Sequence, residues 1–355
     1  MTPILSNNYY VNFHEDAYQK LNSCLIKHLP STIFILVDEN TNEHCLPILL
    51  QAMETECRHE IIEIEAGEKY KNLETCIGVW NALTELGGDR KSLLINLGGG
   101  VITDLGGFVA SAFKRGISFI NIPTTLLSMV DASVGGKTGV DLGVLKNQIG
   151  LFSNPEMVLI DDCFLETLDL RELRSGMAEI IKYGLTYDIK LWDEIINLKN
   201  NNINNIKKLI HRSIEIKNEV VIEDPKEAGL RKILNYGHTL GHAIESYFLE
   251  SETKENLTHG EAIAIGMITE TFISEKLLNF PTEQTFHIKK EILKIYEKVI
   301  IEASDYEGII ELLIHDKKNI GGRVNFVLLS AYEKYKFDCI VDKELIIAAL
   351  NLYAE

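Results

Sequence analysis

The stretch that decides the fold is residues 93–107, LLINLGGGVITDLGG. Residues 93–97 are typical of a buried β-strand, and the residues after the glycine run are compatible with a helix. Glycines in such a turn let backbone N–H groups approach phosphate oxygens, and the N-terminus of the following helix adds partial positive charge. The stretch therefore indicates a pyrophosphate-binding turn, although it lacks the common G-x-G-x-x-G spacing and glycine-rich turns also serve tight packing alone.

Short β-rich runs lie on both sides of this stretch and alternate with helix-like segments as far as about residue 160. The runs are Thr32–Val37, Leu93–Leu97, Phe119–Ile122 and Met157–Ile160. Strands that alternate with helices form a mainly parallel sheet with helices on both faces. We therefore predict an α/β, Rossmann-like domain over residues 1–165, although neither a proline nor a glycine cluster marks its boundary.

After this boundary the pattern changes to long amphipathic stretches, at Arg171–Tyr183, Ile203–Ile222 and His238–Leu249. Apolar residues recur in them at helical spacing, so we predict a mainly α-helical second domain over residues 166–355. The Asn-rich stretch Asn197–Asn205 is predicted to be a polar loop between two helices.

Composition and charge exclude several classes of protein. The chain has 355 residues, an ordinary apolar fraction of 46% and a formal net charge of −17, which would repel nucleic acids and anionic membranes. The N-terminus lacks a basic start before an apolar core, and no apolar run reaches the roughly 18 residues of a membrane helix. The six cysteines form no Cys-x-x-Cys pair, which favours a reducing cytoplasm over disulfides or a cysteine zinc site.

Two further loops follow the strand predicted at Phe119–Ile122, namely Pro123-Thr124-Thr125 and residues 132–139, ASVGGKTG. Loops at the carboxyl ends of parallel strands are where ligands bind in such folds. The letters GGKT resemble the end of a Walker A loop, but the first glycine of that motif is required at position 131, which is Asp131. A nucleoside-triphosphatase is therefore disfavoured.

Histidines and a glutamate in the second half form a candidate metal site. His238 and His242 are four residues apart and so project from one helical face, His259 adds a third imidazole, and Glu179 lies three residues before Lys182. One carboxylate and two histidines would make a three-ligand catalytic zinc site with a position open for substrate. Two histidines at helical spacing are, however, often ordinary surface or core residues.

Cations lie in the same neighbourhoods as these motifs. They are Arg115, Lys137, Lys146, Lys182, Lys217, Arg231, Lys317 and Lys318. Each of them alone is more often a solvated surface charge, but several sit beside glycines or inside apolar helices. In a chain this acidic, such placement suggests a pocket for a small anion.

Several motifs occur in a fixed order between about residues 38 and 329: LGGGVITDLGGFVAS, KRGISFINIPTTLLSMVDASVGGKTGVD, KNQIGLFSNP, ELRSGMAEIIKYG, LNYGHTLGHAIE, HGEAIAIGM and DKKN. In their order and spacing they closely resemble the 3-dehydroquinate synthases, a family of sugar phosphate cyclases. The resemblance implies a dehydroquinate synthase-like fold, with an active site in the cleft between the α/β and helical domains.

The resemblance also implies a carbon–oxygen lyase of the shikimate pathway, in aromatic amino-acid and chorismate biosynthesis. Such an enzyme converts 3-deoxy-D-arabino-heptulosonate 7-phosphate into 3-dehydroquinate and phosphate by transient NAD oxidation, phosphate elimination, reduction, ring opening and aldol cyclisation. The implied cofactors are NAD and one divalent metal per subunit, zinc or cobalt. A cytoplasmic homodimer is implied as well, in which Arg115 reaches the phosphate site of the partner subunit.

Three sets of site residues carry over by motif. The implied metal ligands are Glu179, His238 and His259. The implied NAD-binding residues are Asp38, Asn40, Glu68, Lys71, Gly99, Gly100, Asp104, Thr124, Thr125, Asp131, Lys146 and Thr167. The implied substrate-binding and catalytic residues are His242, Lys137, Lys182, Asn147, Arg115, Glu227, Arg231, Lys217, Asn235 and one of Lys317 or Lys318.

Three alternatives stay open. One is a relative such as a 2-deoxy-scyllo-inosose synthase, whose substrate glucose 6-phosphate lacks a carboxylate; the presence of both Lys217 and Arg231 favours a carboxylated substrate. Another is a metal-dependent polyol dehydrogenase, which would release reduced cofactor as a product. The last is a binding protein that uses an enzyme fold without catalysis.

Overall fold

The computed structural model describes residues 1–143, 145–197, 203–313 and 324–355. The chain divides into two compact units, one made of Met1–Leu173 with Ile210–Ile222 and the other of Arg174–Leu209 with Glu223–Glu355. The functional domain boundary that we predict at residue 165 stays a prediction.

The first unit is built on a seven-stranded sheet, and two separate hairpins complete the β-structure of the described residues. The strands are β1 (Ile4–Leu5), β2 (Tyr10–Phe13), β3 (Ile33–Asp38), β4 (His59–Ile64), β5 (Leu93–Gly98), β6 (Ser118–Pro123), β7 (Lys137–Leu142), β8 (Leu145–Phe152), β9 (Met157–Ile160), β10 (Asn325–Ala331) and β11 (Lys334–Ile340). The large sheet has the order β1-β2-β9-β6-β5-β3-β4, and every pair in it is parallel except β1 with β2. This confirms the predicted mainly parallel sheet.

The helices that cover the sheet and form the second unit follow the predicted pattern closely. They are α1 (His14–His28), α2 (Glu39–His44), α3 (Leu46–Ala52), α4 (Leu73–Glu85), α5 (Gly100–Ala112), α6 (Leu170–Thr186), α7 (Ile189–Ile196), α8 (Ile203–Glu223), α9 (His238–Glu250), α10 (His259–Leu278), α11 (Thr282–Ile295), α12 (Tyr306–Leu313) and α13 (Lys343–Ala354). The three amphipathic stretches predicted in the second half correspond to α6, α8 and α9. No helix among the described residues is both long enough and apolar enough to span a bilayer.

Burial explains why residues 93–107 form a strand, a turn and a helix. Every residue of β5 is buried, and α5 presents Ile102 and Leu105 to a core that also contains Phe34 and Leu94. A strand buried on both faces must be apolar along its whole length, which is why LLINL stood out in the sequence. The core thereby fixes the glycine turn between β5 and α5 at the carboxyl end of a central strand.

Two local predictions were wrong. Residues 137–139, predicted as part of a loop, begin strand β7, because Gly139 and the polar residues before it hid the hairpin that they form with β8. The second unit is mainly helical, as predicted, and also contains the hairpin of β10 and β11. Helix α8 begins at Ile203, so the end of the predicted loop Asn197–Asn205 is helical, while residues 198–202 lie outside the described part.

We expect the substitution Gly106→Ala to destabilise the chain by about 1–3 kcal/mol, the range for overpacked cores. A Cβ atom at Gly106 would lie 2.0 Å from Oδ1 of Asn96. Asn96 is fully buried and donates to Oδ1 of Asn121 at 2.8 Å, so it has little room to move aside. Thermal unfolding should therefore begin at a lower temperature than in the unaltered chain.

Gly78→Ala is the matched control for this prediction. Gly78 lies within helix α4, and no atom lies within 4 Å of its added Cβ. Alanine in a helix interior is more stable than glycine by roughly 0.5–1 kcal/mol, so this variant should melt at the same or a slightly higher temperature. Equal melting temperatures for both variants would contradict the packing argument.

Candidate active site and metal centre

Three helices of the second unit bring a carboxylate and two imidazoles together. Glu179 is fully buried within α6, while His238 and His259 are the first residues of α9 and α10. Oε1 of Glu179 lies 3.2 Å from Nε2 of His238 and 3.3 Å from Nε2 of His259. One carboxylate oxygen therefore faces both ring nitrogens.

These separations fit the ligand shell of a small divalent ion. Zinc bonds to imidazole nitrogen and carboxylate oxygen are about 2.0–2.2 Å long, so two ligands of one tetrahedral ion lie roughly 3.3–3.5 Å apart. The distances from Glu179 to the two histidines are close to that spacing. Nitrogen and oxygen donors of this kind suit zinc and cobalt alike.

His242 makes a second ligand set conceivable. Ring nitrogens of His238, His242 and His259 all lie within 4.8 Å of one another. The ring centroid of His242 is 5.1 Å from that of His238 and 5.8 Å from that of His259. The geometry thus offers either Glu179 with two histidines or three histidines as ligands, and the two sets share His238 and His259.

The charges around the site keep Glu179 anionic. Burial alone would raise the pKa of Glu179, but the Lys182 ammonium, followed by His238, outweighs burial and holds the pKa well below its usual range. Nζ of Lys182 donates directly to Oε2 of Glu179. Glu179 therefore carries its charge at neutral pH, and its Oε1 stays directed at the histidines.

The two histidines differ in their protonation. Burial, with help from Lys182, lowers the pKa of His238 to about 4, so that ring is neutral at pH 7. Burial would also lower the pKa of His259, but hydrogen bonds to Glu179 and Glu245 outweigh it and raise the pKa to about 10. In the metal-free chain His259 therefore holds a proton that a bound cation would have to displace.

The second ring nitrogen of each histidine also has a partner. Nδ1 of His238 lies 3.1 Å from the backbone oxygen of Tyr236, and Nδ1 of His259 lies 3.3 Å from Oε2 of Glu245. When Nδ1–H donates to such an acceptor, the Nε2 lone pair is left for a metal. Glu245 was not predicted as a site residue, although it stands three residues after His242 inside the motif GHAIE.

Other predicted residues of this unit gather in the segment before α9. Arg231 is 2% exposed in the 3-10 helix Leu230–Asn235, and its Nη1 donates to the backbone oxygen of Pro225 at 3.0 Å. Nδ2 of Asn235 donates to Oε1 of Glu227 at 2.6 Å. Lys317 and Lys318 lie outside the described residues.

In the first unit, many predicted nucleotide-site residues follow the carboxyl ends of parallel strands. Gly99 is the N-cap of α5 after β5, and a Cβ there would lie 3.0 Å from Cγ2 of Thr125, which follows β6. Thr124 likewise follows β6, Asp38 is the last residue of β3, and Thr167 comes after β9 and the 3-10 helix Asp162–Glu166. The carboxylate of Asp38 caps α2 by accepting from the backbone N–H of Thr41, and Asn40 is exposed on that helix.

A network of charges joins further predicted residues of this unit. The buried Lys71 donates from Nζ to Oδ2 of Asp104 at 2.6 Å and to Oδ1 of Asn147 at 2.8 Å. Lys146 donates to Oε1 of Glu68 at 2.9 Å. Burial would lower the pKa of Lys71, but Asp104 and Glu68 outweigh it and raise that pKa, so Lys71 stays charged.

The remaining predicted cations take different positions. Nζ of Lys217, on α8, forms an ion pair of 2.8 Å with Oδ1 of Asp131. Lys137 is exposed at the start of β7, and Arg115 is exposed at the end of the 3-10 helix Phe113–Arg115 with a left-handed φ of 71°. The first unit thus holds Lys217 against a carboxylate and leaves Lys137 and Arg115 at its surface.

The sequence is similar to known proteins over most of its length. Family models described as the N-terminal and C-terminal parts of 3-dehydroquinate synthase match residues 61–175 and 176–319. A curated 3-dehydroquinate synthase of Parabacteroides distasonis is 42% identical over 344 residues, which cover 96% of each chain. These matches include all the predicted site residues between positions 61 and 319.

Solved structures show a similar fold over almost the whole chain. A 2-epi-5-epi-valiolone synthase from Streptomyces hygroscopicus subsp. jinggangensis, solved with NAD⁺ and Zn²⁺, aligns with a TM-score of 0.84 and 25% identity over 100% of this chain and 99% of its own. A 2-deoxy-scyllo-inosose synthase, solved with carbaglucose-6-phosphate, NAD⁺ and Co²⁺, also has a TM-score of 0.84, at 24% identity over 98% and 99% of the two chains.

Proposed function

The chain belongs to the 3-dehydroquinate synthase family, and we propose that it converts 3-deoxy-D-arabino-heptulosonate 7-phosphate into 3-dehydroquinate and inorganic phosphate. The observation that carries this proposal is the 42% identity to a curated 3-dehydroquinate synthase over 96% of both chains. The similar solved cyclases support the fold, and their names state other products. The chain is accordingly a carbon–oxygen lyase.

We propose that Glu179, His238 and His259 hold one divalent metal. Support comes from the single Glu179 oxygen that faces both Nε2 atoms at 3.2 and 3.3 Å. The related structures contain Co²⁺ or Zn²⁺, and nitrogen and oxygen donors suit both ions, so the choice of metal is left to availability. When bound, the metal supplies a Lewis acid for a developing alkoxide, and NAD supplies an acceptor that takes up and returns a hydride.

We propose that NAD binds at the carboxyl edge of the parallel sheet in the first unit. Supporting features are the glycine turn at the N-terminus of α5, the threonines after β6 and the charge network around Lys71. Backbone N–H groups at a helix N-terminus bind pyrophosphate well. The proposed set is Asp38, Asn40, Glu68, Lys71, Gly99, Gly100, Asp104, Thr124, Thr125, Asp131, Lys146 and Thr167.

The variant Lys71→Met is expected to weaken NAD binding by about 10-fold or more, because hydrogen bonds to charged groups contribute about 1.5–3 kcal/mol. Without the ammonium, Asp104 and Asn147 lose the group that holds both of them. Lys69→Met is the control, since Lys69 is exposed and, among the described residues, its Nζ contacts the ring of Tyr70, 4.6 Å from the centroid. Fluorescence titration with NAD measures both; equal affinity in the two variants would contradict the assignment.

The substrate is an acid as well as a phosphate, and we propose separate groups for its two ends. Arg231 offers a planar fork for the carboxylate, with Lys217 as a point charge, while Glu227 and Asn235 form a bonded pair in the same segment as Arg231. Lys137 and Asn147 are assigned to the phosphate. Arg115 is assigned to the phosphate site of a partner subunit in a homodimer, and the cytoplasm is the proposed location.

Lys182 and His242 are the proposed acid–base and charge-handling groups beside the metal ligands. Nζ of Lys182 donates to Glu179 and so keeps that proposed ligand anionic. A ring nitrogen of His242 lies within 4.8 Å of ring nitrogens of His238 and His259. We assign His242 to proton transfer instead of a bond to the metal. Elimination of phosphate and ring closure require proton movement at neighbouring atoms, which an imidazole performs well near pH 7.

Product analysis tests the proposed reaction. The purified chain, with NAD and zinc, is incubated with 3-deoxy-D-arabino-heptulosonate 7-phosphate, and carbon NMR follows loss of the anomeric carbon and growth of the carbocyclic ketone. Glucose 6-phosphate is the comparison substrate, because it is the substrate of the carboxylate-free alternative. Formation of 3-dehydroquinate alone supports the proposal, whereas cyclisation of glucose 6-phosphate alone would overturn it.

A further inference from the structure

A buried carboxylate on α10 binds the start of the helix that carries His238. Glu270 is fully buried in the middle of α10. Its Oε1 accepts from the backbone N–H groups of Thr239 and Leu240, each at 3.1 Å, and its Oε2 accepts from the N–H of Gly237 at 2.7 Å. Both carboxylate oxygens are therefore occupied by donors from the first turn of α9.

This arrangement replaces an ordinary N-cap. The N-cap of α9 is Gly237, in a left-handed conformation with φ 78°, and it has no side chain to accept from the first turn. Helices commonly begin with Ser, Thr, Asp or Asn, whose side chains satisfy the free N–H groups at the second and third positions. Here a residue distant in sequence, Glu270, accepts from both of those N–H groups.

The bond to Gly237 has a further consequence for His238. The peptide unit between Tyr236 and Gly237 donates its N–H to Oε2 of Glu270, while its carbonyl oxygen lies 3.1 Å from Nδ1 of His238. One rigid amide plane thus connects the carboxylate to the imidazole. An acceptor on the N–H also polarises the amide and strengthens the carbonyl as an acceptor, since hydrogen bonds in a chain reinforce one another.

Close packing confines the backbone at Gly237, the residue that joins this peptide unit to His238. A Cβ atom at Gly266 would lie 1.8 Å from the carbonyl oxygen of Gly237, and one at Gly237 would lie 2.6 Å from Cγ of Met267. The backbone of α10 therefore lies directly against the turn before α9. Helix α10 begins with His259, which is a proposed metal ligand. The same helix carries Glu270, which is bonded to the start of the helix that carries His238.

We infer that Glu270 is a positioning residue of the metal centre: through the Tyr236–Gly237 peptide it sets the orientation and tautomer of His238. The inference rests on the proposed metal site. Outer partners of metal-bound histidines typically contribute about 10–100-fold to metal affinity, and Glu270 acts one amide further out. We therefore expect an effect near the lower end of that range.

The test is a zinc titration of the metal-free, full-length chain with a competing chromophoric chelator, without substrate or turnover. In Glu270→Gln an NH₂ group replaces one carboxylate oxygen. Both oxygens accept from backbone N–H groups, so in either orientation of the amide the NH₂ group would face an N–H donor. The zinc Kd should rise by about 10-fold. Glu275→Gln is the control on the same helix, because the described partners of Glu275 are Lys276 and the α11 residues Thr282 and Thr285. The zinc Kd of this variant should equal that of the unaltered chain.

A double-mutant cycle separates positioning from general structural support. In a His238→Ala background the ring through which Glu270 acts is absent, and Glu179 with His259 can hold zinc only weakly, so the residual affinity is measured by calorimetry at a higher zinc concentration. Adding Glu270→Gln should leave that residual affinity unchanged. An equal loss of affinity with and without His238 would overturn the inference, as would a lowered melting temperature of Glu270→Gln with unchanged zinc affinity. If Glu270→Gln does not fold, Glu270→Asp, which keeps the charge but shortens the reach, takes its place in the same cycle.

The outcomes also distinguish this inference from the proposed function. A chain that binds zinc as expected and responds to the cycle, yet makes no 3-dehydroquinate, would contradict the proposed reaction and leave the role of Glu270 supported. Failure of the unaltered chain to bind zinc would overturn the metal centre and the role of Glu270 together.

Discussion

His259→Ala is expected to abolish stoichiometric zinc binding and to lower kcat/KM by at least about 10³-fold, because a catalytic metal contributes several kcal/mol of charge stabilisation. Its Nε2 faces the same Glu179 oxygen as Nε2 of His238, so alanine removes one of three proposed ligands. The side chain is 23% exposed and stands at the first position of α10, which makes collapse of the fold less of a concern than for Glu179.

His287→Ala is the matched control for that loss. His287 belongs to α11 of the same unit, is 44% exposed, and makes only an edge contact with Trp192 and a long approach of 4.0 Å to Glu291 among the contacts described. Its zinc content and kcat/KM should equal those of the unaltered chain. Metal analysis after gel filtration and steady-state assays measure both quantities. Full zinc content in His259→Ala would contradict the ligand assignment.

His242→Asn is expected to lower kcat by about 10²–10⁴-fold, the usual contribution of a general acid or base, while leaving one zinc per chain. The reason is that, in the proposed ligand set, His242 stands beside the ligands without being one, with its ring centroid 5.1 Å from that of His238. Asparagine keeps a polar group of similar reach but cannot transfer a proton near neutral pH.

The same variant decides between the two ligand sets that the geometry offers. If the metal is held by three histidines, His242→Asn should lose zinc as fully as His259→Ala, and Glu179 would then be a neighbour of the site. If Glu179, His238 and His259 hold it, zinc remains and only turnover falls. The cobalt-substituted chain gives a second readout, since its visible spectrum should be unchanged by His242→Asn and altered by His259→Ala.

Much of the fold was predictable because local sequence and burial agree. Strand β5 is buried along its length, so its composition alone identified it, and the glycine turn and α5 follow without a gap. The hairpin of β7 and β8 was missed because it contains glycines, at Gly139 and Gly150. A Cβ atom at Gly139 would lie 2.5 Å from a backbone oxygen of the opposite strand, and one at Gly150 would lie 2.2 Å from another. Such sites require glycine in a strand, where composition predicts a turn.

The site also combines features that the local sequence predicts with features that it does not. Histidine spacing within α9 is a local pattern that indicated a metal site near His238 and His242, whereas the ligand set Glu179, His238 and His259 was implied by the family resemblance. By contrast, the contacts of Lys71 with Asn147 and of Glu270 with Gly237 join residues far apart in the chain, and neither leaves a periodic signal. Glu270 in particular lies in an apolar part of α10. From the sequence alone, an acid at such a position indicates only that some other group must offset the cost of burying it.

The measurement that tests the central claim most directly follows phosphate release from 3-deoxy-D-arabino-heptulosonate 7-phosphate and NADH absorbance in one cuvette, with NAD and zinc present. A cyclase that regenerates its cofactor should release phosphate without accumulating NADH, and a chelator should stop the release. Stoichiometric accumulation of NADH, or no phosphate release by the zinc-loaded chain, would contradict the account.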